Sequence, residues 1–152
     1  MAPSRRQFLT ATAALGLPAL LPAAAFAATP AVYAQDGIAI DSTDPVAYFT
    51  QSKPVAGVAG ITHDWNGATW RFSSVENRDT FAANPAAYAP QYGGYCAYAV
   101  SEGYTASTTP KAWKIVNGKL YLNYSRRIQR RWEKAIPTRI KNADANWPSV
   151  LA

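Results

Sequence analysis

The dipeptide Asn66-Gly67, set between two arms of alternating polarity, constrains this chain more than any other feature. Asn-Gly favours the two-residue turn in which both central residues take positive φ, and the twist of that turn matches the twist of paired strands. In this register Trp65 faces Ala68, His63 faces Trp70, and Ile61 faces Phe72. All six share one face of the hairpin, while Thr62, Asp64, Thr69 and Arg71 share the other. A slip of one residue would move each side chain to the wrong face, so the pairing over residues 61–73 is well specified. A second hairpin is predicted around Asn117-Gly118, with Trp113, Ile115, Leu120 and Leu122 on its apolar face.

Helix signals surround these hairpins. Asp44-Pro45 places a capping carboxylate before a proline at the first helical position, with residues 46–49 as a short body. Ser73-x-x-Glu76 reads as a capping box that opens a helix to about Ala83. Asn84-Pro85 breaks it, and a short turn follows to Tyr88. Residues 37–41 read as a short strand, Gly93-Gly94 as a hinge-like turn, and the apolar run 95–100 as a buried strand. From Ser125 the period becomes helical, with Ile128, Trp132 and Ala135 on one side and Arg126, Arg127, Arg130 and Arg131 outside them. Pro137 is expected to stop that helix and residues 140–147 to form a last short one. The fold class that follows is α+β: two β-hairpins, short helices and a C-terminal helix.

The N-terminus carries Arg5-Arg6-Gln7-Phe8-Leu9, a short apolar run to Leu21, and Ala25-Phe26-Ala27. A charged start, a brief apolar stretch and an A-x-A site describe a secretory signal peptide. The paired arginines resemble the twin-arginine export signal. The apolar run is shorter than the ~20 residues that span a bilayer. The expected organisation is a signal peptide over 1–27, a linker over 28–35 and a single domain over 36–152, located in the periplasm. Loss of Arg5 and Arg6 lowers the net charge of +6 by two. Five Trp, nine Tyr and five Phe supply large buried area for so short a domain.

The segment from Phe72 through Ser73, Glu76, Asn77, Phe81, Asn84 and Pro85 to Tyr88, with Asp44-Pro45-Val46 upstream, resembles the YHS-domain family. Tyr92-Gly93-Gly94-Tyr95-Cys96-Ala97 and Leu120-Tyr121-Leu122-Asn123-Tyr124 extend the likeness to its exported, cysteine-poor branch. The resemblance implies a compact, treble-clef-related α+β module in which a helix packs on a hairpin. It also implies an association with heavy-metal handling. Metal-type members carry cysteine at three positions that here read Ala47, Ser73 and Asn77.

Several kinds of chemistry meet in the remaining residues. Soft metal ions such as copper want thiolate and imidazole ligands, and the domain offers one of each, Cys96 and His63. Four such ligands would make a structural zinc site, so a mixed site would have to recruit Asp44, Asp64 or tyrosines. The only methionine is Met1, which leaves with the signal. His63 lies on the apolar face of its hairpin, where a half-buried structural role competes with ligation. Cys96 is equally consistent with a small buried hydrophobe. A Cys–His nucleophile would need the two side chains within a hydrogen bond, and without a second cysteine one chain cannot cycle a dithiol. Tyr92, Tyr95, Tyr98, Tyr104 and Tyr124 either line a small-molecule cleft beside Gly93-Gly94 or form an aromatic core. The arginine cluster is a solvated helix face or a weak contact for anionic membrane; nucleic acid is not an expected partner of an exported domain. The reading is a periplasmic accessory binding protein for a metal ion or small ligand, with Cys96 and His63 as metal candidates and Tyr92, Tyr95, Tyr98 and Asp44 as ligand contacts. A non-metal interaction module with a protein partner is the competing class, and a Cys-dependent enzyme the third.

Overall fold

The computed structural model describes residues 27–152. The expected signal peptide therefore falls, except for Ala27, outside the described residues. The architecture is α+β, with a four-stranded sheet, a separate two-stranded hairpin and six helices among the described residues.

Strands β1 (Ala34–Gln35), β2 (Ile38–Ala39), β3 (Val58–Trp65) and β4 (Ala68–Phe72) form the larger sheet in the order β1-β2-β4-β3. Only the β2–β4 pairing is parallel. The Asn66-Gly67 turn joins β3 to β4, with φ of 51° and 81°, the double positive pair that this turn type demands. Trp65 pairs with Ala68 and His63 with Trp70, as the alternation predicts. Farther from the turn the register differs from expectation. Phe72 pairs with Val58 rather than Ile61, because an irregularity between Val58 and Thr62 takes up the extra residues.

Helix α1 (Pro45–Thr50) begins behind the Asp44 cap, as read from the sequence. Helix α2 (Val75–Ala83) lies against the β3–β4 hairpin through Phe81, whose ring centre stands 5.1 Å from those of Trp70 and Phe72. Its cap is Ser74, whose Oγ accepts from Asn77 N at 3.1 Å, and not the Ser73 of the expected box. The short α3 (Pro85–Tyr88) follows the Asn84-Pro85 break.

The run expected as a strand is instead helix α4 (Ala97–Ser101). A short, continuous apolar run does not distinguish the two states by period. Here alanine at 97 and 99 favours helix, and the Asn123 side chain supplies a cap that local sequence lacks: its Oδ1 accepts from Tyr98 N at 3.2 Å. Strands β5 (Trp113–Val116) and β6 (Lys119–Leu122) form the second hairpin in the expected register. Ser125 caps α5 (Arg126–Glu133). Pro137 is not the stop of α5, which ends at Glu133; it sits in the first turn of α6 (Ile136–Asn146), which starts earlier than the expected 140, and there its missing N–H costs nothing. The core joins Tyr48, Trp70, Phe72, Phe81, Leu120, Leu122 and Trp132, all fully enclosed.

Candidate functional site

Asp44 is wholly buried and receives five donors from two distant segments. Its Oδ1 accepts from Val46 N at 2.9 Å and Ala47 N at 3.4 Å, the ordinary helix cap. Its Oδ2 accepts from Ser73 N at 2.8 Å, Ser73 Oγ at 2.6 Å and Asn77 Nδ2 at 2.8 Å. Ala47, Ser73 and Asn77 thus meet around one carboxylate. Such charge-assisted bonds to a buried anion bind the start of α1 to the β4–α2 corner. The carboxylate oxygens are occupied by N–H and O–H donors, and no thiolate or imidazole is among them. This set does not fit a soft metal ion. Asp44 serves as an internal hub and does not offer itself to a ligand.

Cys96 stands just before α4 and is 1% exposed. Its Sγ donates to Asn123 Oδ1 at 3.6 Å and accepts from Tyr124 N at 3.3 Å. Burial raises the thiol above its ordinary pKa, partly offset by neighbouring backbone N–H groups of Ala99, Tyr124 and Tyr98. A buried thiol held protonated is a poor nucleophile. Over it opens a largely apolar cleft of about 210 Å³, lined by Cys96, Tyr98, Ala99, Tyr104, Ala106, Tyr124 and Ile128. Tyr104 and Tyr124 are 52% and 57% exposed at this cleft, unlike the enclosed aromatics of the core. Tyr98 carries the Arg139 guanidinium 4.2 Å from its ring centre, and Arg139 is paired with Glu102.

The expected aromatic cleft divides into two. Tyr98, Tyr104 and Tyr124 line the opening over Cys96. Tyr92 and Tyr95 belong to the core, where Tyr92 donates to Asp144 at 2.8 Å and Tyr95 to the Pro30 carbonyl at 2.8 Å. Gly93-Gly94 permits a close approach, but of the chain to itself. A Cβ at Gly93 would lie 1.9 Å from the Ala31 carbonyl oxygen, and Tyr33 N donates to the Gly93 carbonyl at 2.9 Å.

His63 is half-buried on β3, with its ring 6.1 Å from that of Phe81 in an edge-on arrangement. The residues around it and those around Cys96 are different sets, and no hydrogen bond joins the two side chains. Among the described residues, no group of three or more His, Cys, Asp or Glu side chains is gathered to hold a metal ion. Sequence reasoning missed Ile128, Ala99, Ala106 and Asn123 around Cys96. The helical face of Ile128 was visible in the sequence, but which neighbour that face meets is a tertiary fact.

Among the described residues, no helix is long and apolar enough to cross a membrane. Compared with family models, with curated proteins and with solved structures, the chain matches none.

Proposed function

We propose that this chain is an exported accessory protein that binds a small apolar molecule in the cleft over Cys96. The observation that carries the reading is the contrast between Tyr104 and Tyr124, left more than half exposed around an apolar recess, and the enclosed aromatics of the core such as Tyr92, Tyr95 and Tyr121. Covering that recess removes aromatic surface from water, a favourable step of ~25 cal/mol per Å². Binding is favoured over catalysis because Cys96 is buried, protonated and without a histidine among its contacts. Export rests on the paired arginines and the A-x-A site of the sequence. Membership of the YHS type is supported by the residue spacing and by the helix that packs on the Asn66-Gly67 hairpin. The soft-metal role that the resemblance suggests has one thiol to rest on.

Titration of the isotope-labelled domain with benzyl alcohol tests the reading. Amide resonances of Tyr98, Ala99, Tyr104, Ala106 and Tyr124 should shift together, and Ala106→Trp, which fills the mouth, should suppress the shifts. Shifts that fall elsewhere, or that persist in Ala106→Trp, would remove the cleft as the site. Elemental analysis with copper(I) titration tests the rival: stoichiometric uptake by the wild type and none by Cys96→Ala would place a metal where the apolar molecule is proposed.

A further inference from the structure

Helix α5 presents Arg126, Arg127, Arg130 and Arg131 to solvent within eight residues. Among the described residues none of the four is within ion-pair distance of a carboxylate. The acid of that helix, Glu133, is already engaged by Lys114 at 3.3 Å and by Gln129 at 3.1 Å. Like charges four residues apart on a helix repel, so the pairs Arg127/Arg131 and Arg126/Arg130 are each unfavourable as they stand.

The two pairs differ in their relation to the cleft. Ile128 forms part of its wall. At about 100° per residue, Arg131 lies roughly 60° and Arg127 roughly 100° to one side of Ile128 around the helix axis. Arg126 and Arg130 lie about 160° away, on the opposite face. Arg127 and Arg131 therefore lie nearer the Ile128 side of the helix than Arg126 and Arg130 do, although none of the four is among the residues that line the recess. Glu102, which follows α4, is held by Arg139. The recess is also small. Apolar cavities of about 150 Å³ admit one benzene ring, and this one is about 210 Å³.

We infer that the cleft takes a small organic monocarboxylate, with a single ring or short apolar chain over Cys96 between Tyr104 and Tyr124 and its carboxylate met by Arg127 and Arg131. This rests on the cleft being a binding site and adds the class of its ligand. Arginine suits the task because its planar donor fork matches a carboxylate.

Benzoate and its neutral counterpart benzamide are the probes, followed by cleft amide shifts in the folded domain. Benzoate should bind about tenfold more tightly than benzamide, the effect of one charge-assisted contact. The preference should weaken as salt is raised. It should disappear in Arg127→Gln/Arg131→Gln and persist in Arg126→Gln/Arg130→Gln, which removes the same charge from the far face. Equal binding of the two probes would overturn the anion while leaving the cleft as a site. Loss of preference in both double variants alike would also overturn it, since a diffuse field rather than the nearer pair would then be at work. Failure of both probes to move the cleft amides would sink the binding site itself. If neither probe binds but the protein sediments with phosphatidylglycerol vesicles through the same arginines, the face meets a membrane and the inference falls.

Discussion

A single carboxylate decides how two sequence-distant corners of this fold are joined. Asp44 caps α1 with one oxygen and with the other gathers Ser73 and Asn77 from the β4–α2 corner. Asp44→Asn keeps the shape but loses the charge and turns an NH₂ toward donors on one side. Removing one partner of a buried, charge-assisted cluster costs about 3 kcal/mol. Ser73→Ala and Asn77→Ala each remove donors and leave the anion partly served, so each should cost about 1.5 kcal/mol. Urea denaturation of the three variants checks the order, and an Asp44→Asn midpoint equal to that of the parent would remove the hub from the account. The cap itself was legible, because Asp-Pro before an apolar run has a local mechanism. The second half of the cluster was not, since nothing in residues 73–77 names the carboxylate they reach. Their four-residue spacing places both on one side of the corner, and that was the available hint.

At the scale of elements, the hairpins were the most legible parts and α4 the least. Both Asn-Gly turns fixed the pairing next to them, because positive φ at two successive residues admits few alternatives, and only the first hairpin departs from it, beyond Thr62. Residues 97–101 had no such local signature; the Asn123 cap that starts α4 lies more than twenty residues away in sequence. The same divide between local and distant causes separates two glycines. Gly118 has φ of 74° in an open turn, and an added Cβ meets nothing within 4 Å. Gly118→Ala should therefore cost about 1 kcal/mol, for backbone strain alone. Gly93 has φ of 61° and also the Ala31 carbonyl against it. Gly93→Ala cannot keep the segment around Ala31 in place, so its cost should exceed that of Gly118→Ala by at least about 2 kcal/mol. Hydrogen exchange of the Tyr33 amide, which donates to the Gly93 carbonyl, reads the difference. Protection there unchanged in Gly93→Ala would mean that the approach of the two chains matters little to the fold.

Across the whole molecule, the buried tyrosines tie stability to alkaline pH. Burial raises Tyr48 and Tyr92 far above the ordinary tyrosine pKa, and Tyr92 is raised further by its bond to Asp144. Tyr33, Tyr95 and Tyr121 are raised too, mainly by burial, and so is the Cys96 thiol. All six groups are acids whose neutral form the fold prefers. Well below pH 9 both folded and unfolded chains hold these protons, and the groups give no pH dependence. Above the ordinary thiol value of 9.0 and then the ordinary tyrosine value of 10.0, the unfolded chain loses protons that the folded chain keeps. Stability then falls as pH rises, by up to ~1.4 kcal/mol per pH unit for each group while only the unfolded form is ionised. The unfolding midpoint should therefore change little through these groups up to pH 9 and drop steeply beyond pH 10. Tyr92→Phe separates the bond from the burial: it should lose about 1 kcal/mol at pH 7, with the Asp144 bond, and decline less steeply above pH 10. Denaturant midpoints of parent and variant between pH 7 and 11 check both parts. Parallel curves over that range would show that Tyr92 ionises as readily in the fold as in the unfolded chain, and that the core is wetter around it than its burial indicates.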